Sequence, residues 1–141
     1  MPEVSALEAA IQRWLTDPDS DVTYAEKVEG RWAVRMRQSV RDATTVWWEV
    51  GDYTISAEAY VLPAPPNGAT DAYRLVLSRN WSTWQAHFAL DAEGAFVIRG
   101  RLGRDASFED LDRLLGEIYQ LVELTFRPLV TRAFGRREKT L

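Results

Sequence analysis

The sequence predicts an α+β fold: an antiparallel β-sheet packed against helices, in the order α-β-β-β-α-β-β-α. Three observations lead there. Apolar residues recur at helical spacing near both ends of the chain, they alternate with period two through its middle, and glycine- or proline-bearing turns separate the alternating runs. At 141 residues the chain has the length of one domain, and no repeat, linker or low-complexity tract divides it. A single domain over 1–141 is expected, with a core of about 4–135 and a frayed polar tail at 136–141.

Ser5 and Glu8 stand three apart, as in a capping box, ahead of Leu7, Ile11, Trp14 and Leu15 at helical spacing. They predict a helix over 5–16, which Pro18 stops. The stretch 21–30 reads as extended or irregular. Three alternating runs follow. Trp32, Val34 and Met36 alternate with arginines over 31–38; Val46, Trp48 and Val50 alternate over 44–50; Tyr53, Ile55, Ala57, Ala59 and Val61 alternate over 53–62. Gly51 and Asp52 suit a two-residue hairpin turn with glycine first, completing an antiparallel meander.

The prolines at 63, 65 and 66 end that meander before a short helix over 69–79, with Tyr73, Val76 and Leu77 inward and Asn80 as a left-handed cap. A second hairpin takes Trp84, Ala86, Phe88 and Leu90 on one strand, a turn at 91–94, and Phe96, Ile98 and Gly100 on the other. Ser107 caps the last helix, whose stripe runs Leu111, Leu114, Leu115, Ile118, Leu121 or Val122, and Phe126. Pro128 is expected to kink or end its regular part.

Composition narrows the function. There is no cysteine, so disulfide frameworks, thiolate chemistry and cysteine zinc sites are excluded. No window holds the roughly 18 apolar residues of a membrane span, and no basic residue precedes Arg13 as in a secretory signal. These readings point to a cytoplasmic chain with no membrane partner. The formal charge of −4 opposes coating of nucleic acid, although a local basic face is compatible with it.

Chemistry is sparse. The single histidine, His87, lies on an alternating strand and reads as a sheet-face residue. Asp17, Asp19 and Asp21 lack the glycine and distal glutamate of a calcium loop, while Glu109, Asp110 and Asp112 suit the first turn of a helix. No phosphate-cradling glycine loop or nucleophile elbow is present. The expectation is a chain without catalytic residues, metal or cofactor.

The alternation has a further consequence. With Trp32, Val34, Met36, Val46, Trp48, Ile55, Phe88, Phe96 and Ile98 under the helices, the opposite face carries arginines and aromatics. Arg35, Arg37, Trp47, Tyr60, Arg99 and Arg101, beside Arg31, are the candidate partner-binding residues, because both residue types give large contact area at modest entropy cost. The same set could stack single-stranded bases while holding phosphates, which makes nucleic acid the alternative partner. Of the six tryptophans, only Trp47 and Trp81 look free of the core. Tyr119, Leu124 and Phe126 lie off the narrow seam of the last helix and are candidates for a homodimer interface.

Five segments together carry a family resemblance: VGDYTISAEAYV at 50–61, AYRLVLSRN at 72–80, FALDAEG at 88–94, FVIRGRL at 96–102 and LDRLLG at 111–116. In these the chain resembles the YbjN family, whose domain is similar in fold to the type III secretion chaperones. The resemblance covers about 30–135. It implies a chaperone-like or adaptor-like role, binding a segment of another protein, commonly as a homodimer. It supplies no catalytic residue.

Overall fold

A computed structural model describes residues 5–67 and 69–135. The tail 136–141, expected to fray, lies outside the described residues, as does Gly68 in the loop after the meander. The elements are α1 (Ala6–Thr16), β1 (Val22–Val28), β2 (Arg31–Arg37), β3 (Ala43–Val50), β4 (Thr54–Leu62), α2 (Thr70–Asn80), β5 (Ala86–Leu90), β6 (Phe96–Gly103) and α3 (Phe108–Phe134). The six strands form one antiparallel sheet in the order β1-β2-β3-β4-β6-β5. The fold is the α+β arrangement expected, and the stretch 21–30 adds the edge strand β1 to it.

That strand is joined to β2 by a two-residue turn in which Glu29 (φ 52°) and Gly30 (φ 84°) are both left-handed. Mirror-image turns of this kind match the twist of a hairpin. The turn expected at Gly51 and Asp52 is displaced by one residue. Gly51 has no positive φ, and its N–H donates to Thr54 O at 2.7 Å, so Asp52 and Tyr53 form the tip.

All three helices pack on one face of the sheet. Leu7, Ile11 and Trp14 of α1, Ala72, Leu75 and Val76 of α2, and Leu111, Leu114, Ile118, Val122 and Leu129 of α3 share one core with Val34, Met36, Val46, Trp48, Ile55, Phe88, Phe96 and Ile98. Gly100 allows α3 to come this close: a Cβ there would collide with Leu114 Cδ1 and stand 3.0 Å from Gln85 O.

The helix α3 runs through Pro128 to Phe134, so the proline does not end it. An interior proline costs about 3 kcal/mol, whereas burying one large apolar side chain stabilises by about 1.5–3 kcal/mol. Val122, Leu129 and Ala133 are buried on both sides of the proline, so packing outweighs the break. The carbonyl at Leu124, which a residue-128 N–H would otherwise occupy, accepts from Arg79 Nη2 at 3.4 Å. Arg79 Nε also donates to the buried Thr125 Oγ1 at 3.2 Å.

Other local expectations change as well. Leu77, expected inward on α2, is 67% exposed, and Leu75 takes its place in the core. At α1 only half of the capping box forms. Ser5 Oγ accepts the Glu8 N–H at 3.1 Å, but the Glu8 carboxylate faces Lys27 Nζ at 3.8 Å; the reciprocal box is made at α3 by Ser107 and Asp110. Asn80 is the last helical residue of α2 and has no positive φ. Its amide instead clamps β5, accepting from Phe88 N–H at 2.7 Å and donating to Phe88 O at 3.2 Å. Trp84, expected inward on a strand, precedes β5 and is 85% exposed, and Leu90 is exposed too. The N–H groups of Trp84, Gln85 and Ala86 are held by the Glu117 carboxylate at 2.7, 2.8 and 2.7 Å, which draws this segment to α3.

Candidate functional site on the open face of the sheet

Strand alternation fixes what the helix-free face carries. Because Val34, Val46, Trp48, Ala57, Ala59 and Ile98 are buried under the helices, their neighbours in each strand point the other way. One row crosses all six strands: Glu26, Ala33, Trp47, Glu58, Arg99 and His87 are successive cross-strand partners. Beside it Glu49, Ser56 and Arg101 form a shorter row. On the other side Tyr24, Arg35 and Thr45 pair across β1 to β3, and Tyr60 pairs with Val97 and through it with Ala89.

The structure therefore places Arg35, Arg37, Trp47, Tyr60, Arg99 and Arg101 on this one face. The four arginines and Tyr60 (52% exposed) are open to solvent, and Trp47 is half-buried. The Arg31 guanidinium lies over the Trp47 ring, 4.5 Å from its centroid, which accounts for part of that cover.

The charges are partly compensated. Arg99 Nε stands 3.1 Å from Glu58 Oε1. Arg37 Nη2 donates to Ser20 O at 3.1 Å and lies 3.8 Å from Asp21 Oδ1. Arg35 and Arg101 make no ion pair among the described residues, which leaves them as the cations available to a partner. At the β1 edge, the hydrogen bond from the Tyr24 hydroxyl to Glu26 Oε1 (3.1 Å), with the charge of Glu26, pushes the phenol above its usual range.

The three residues considered for a second subunit face different neighbours. Tyr119 is half-buried and lines a cleft of about 390 Å³ with Trp14, Asp112 and Asp21; burial, then the charges of Glu123 and Asp21, push its phenol up. Phe126 is half-buried, with the Arg41 guanidinium 5.1 Å from its ring centroid. Leu124 is 60% exposed. The acidic groups read as structural have structural partners: Asp17 Oδ1 accepts the Asp19 N–H at 2.9 Å, and Asp112 accepts Trp14 Nε1–H at 2.8 Å.

Trp81, read from the sequence as free of the core, is 92% exposed. Sequence reasoning missed Trp84, which borders an open groove along α3 with Arg113, Gly116, Glu117 and Gln120. The glycine at 116, on the solvent side of a long helix, was the available signal. Among the described residues, no helix is long and apolar enough to cross a membrane.

Comparison with known proteins places this geometry. Residues 8–129 match the YbjN family, described as "Putative bacterial sensory transduction regulator". An uncharacterised protein of Mycobacterium tuberculosis is 29% identical over 86 residues, covering 60% of this chain and 47% of that protein. One of Mycobacterium leprae is 27% identical over 136 residues, covering 92% of this chain and 71% of that protein. The chain thus spans about half the length of the first of these relatives.

Among solved structures, the fold is similar to a chain of the HopA1–SchA chaperone–effector complex, with a TM-score of 0.56 at 10% identity over 85% of this chain and 89% of that one. It is also similar to a chain of the ExoU–SpcU complex from the type III secretion system of Pseudomonas aeruginosa (TM-score 0.53, 16% identity, 86% and 94% covered). The crystal structure of YbjN from E. coli gives a TM-score of 0.52 at 12% identity, with 87% and 89% covered. With the family match spanning most of its length, the chain belongs to the YbjN family.

Proposed function

We propose that the chain is a non-catalytic binding module, chaperone-like or adaptor-like, that takes a segment of a partner protein on the open face of its sheet. The observation that carries this reading is the face itself. A sheet covered by helices on one side presents on the other Tyr60, Trp47 and the uncompensated cations Arg35 and Arg101. Rigid strands hold these side chains in register, so little order has to be created on binding. The likeness in fold to chains from chaperone–effector complexes supports the same reading. A cytoplasmic location belongs to it. So does a homodimer, whose contact would centre on Leu124, the exposed member of the three interface candidates.

The test is capture from cytosol, split into nuclease-treated and untreated halves, by tagged wild-type chain and by an Arg35→Glu/Tyr60→Ala variant. Both positions are exposed, so the variant should melt within a few degrees of the wild type. The reading predicts one or two proteins enriched by the wild type and lost with the variant. Enrichment that nuclease abolishes would move the partner to single-stranded nucleic acid, against which the interleaved Glu26, Glu49 and Glu58 now stand.

A further inference from the structure

Where β5 meets β6, the open face carries a depression of about 220 Å³ lined by His87, Ala89, Arg99, Gly100 and Arg101. Its polar walls are one imidazole and two guanidiniums. His87 and Arg99 are direct cross-strand partners, and Arg101 follows on the same face of β6 two residues along. Ala89 and Gly100 complete its lining, and more of its exposed surface is apolar than polar. Glu58 approaches Arg99 from the β4 side, and Arg101 has no ion pair among the described residues. The depression is therefore lined by three side chains that carry hydrogen-bond donors, and with Glu58 the group is net positive.

We propose that His87, Arg99 and Arg101 form a binding site for a phosphate monoester, carried on a phosphorylated side chain of the partner protein. This deepens the protein-binding reading of the open face and rests on it. The choice of anion follows from the donors. Guanidinium groups pair with carboxylate and phosphate alike, but one guanidinium already satisfies the two oxygens of a carboxylate. Three donor groups around one depression match the three terminal oxygens of a phosphate monoester. An imidazole donates an N–H in either of its protonation states, so His87 serves in both. The choice of carrier follows from the shape. Sites for free small molecules enclose most of the ligand, and this one is shallow and open. Further affinity has to come from contacts along the face, which a polypeptide reaching Trp47 and Tyr60 provides.

His87 is the single histidine of the chain, so its imidazole proton resonances report the site without ambiguity. The experiment titrates the whole chain with inorganic phosphate, with sodium chloride at matched ionic strength, and with acetate, following those resonances in the wild type and in Arg101→Gln. Arg101 is exposed, and an unchanged melting temperature of the variant confirms its fold. The expected result is a saturable shift with phosphate, at least about tenfold weaker in Arg101→Gln, the loss anticipated for one charged hydrogen bond. Acetate is expected to bind more weakly than phosphate. An unsaturating drift shared by phosphate and chloride, or a phosphate response unaltered in Arg101→Gln, would overturn the site. Acetate binding as well as phosphate would overturn the choice of anion. Because Arg35→Glu/Tyr60→Ala leaves these three residues intact, capture lost in that variant beside a negative titration would remove the phosphate contact alone. A positive titration beside capture that the variant does not change would keep the anion site and remove the protein-binding reading.

Discussion

Arg79 shows how one side chain lets a long helix keep an interior proline. Its guanidinium donates to Leu124 O, left free by Pro128, and to Thr125 Oγ1, which is fully buried. Removing it leaves one buried hydroxyl and one carbonyl short of a donor. Arg79→Ala should therefore cost about 1–3 kcal/mol in urea unfolding. Pro128→Ala restores the N–H at 128 and should recover stability of about 1 kcal/mol or more. The two changes should not add: in the Pro128→Ala background the residue-128 N–H bonds Leu124 O itself, and Arg79→Ala costs less. Equal costs in both backgrounds would show that Arg79 does not serve the proline.

At the scale of elements, the loop 38–42 is strapped to α3 by Glu123. Its carboxylate accepts from Gln38 Nε2 at 2.6 Å, from Ser39 N–H at 2.7 Å and from the Ser39 hydroxyl. The same loop sends Arg41 to Tyr60 O and Val61 O, both at 2.9 Å, beside the irregularity where β4 passes Leu62. The Ser39 hydroxyl bond is the main cause that holds the Glu123 carboxyl below its ordinary 4.5, with burial opposing it. A depressed folded-state pKa gives stability that is present above the unfolded value and lost as pH falls through the folded one. Glu123→Gln should therefore melt below the wild type at neutral pH. The gap should close as pH drops below about 4.5. A gap independent of pH would mean that the strap does not depend on the ionised carboxylate.

These elements also show what the sequence can and cannot disclose. β2, β3, β4 and β6 were legible because alternation over most of each run reports a half-buried strand. β1 was not. It is an edge strand with a bulge near Thr23 that breaks its alternation, and its turn uses Glu29 and Gly30 in place of a common hairpin pair. The start of β5 was misread because Glu117, far along the chain, holds the N–H groups at 84–86; no local pattern carries that information. Likewise Pro128 reads as a break until the stripe on both its sides and the donor from α2 are known.

For the whole molecule, the division into a helix-covered face and an open face decides the account. The open face was legible because period two forces the residues between core positions to the other side, so its arginines could be named in advance. Which of them remain available was not legible. The partners of Arg37 and Arg99 come from Ser20, Asp21 and Glu58, across strands and turns that only the folded register brings together. The depression at His87 depended on the same register, since β5 and β6 align the imidazole with Arg99 only when both pair antiparallel in this phase.

The measurement that tests the open face most directly is site-specific photo-crosslinking in living cells. A benzoylphenylalanine replaces Tyr60 on the open face or, as the control, Gln12 on the exposed side of α1. The account predicts a discrete protein adduct from position 60 and none from position 12. An adduct from position 12 with none from position 60 would contradict it and move the binding surface to the helices.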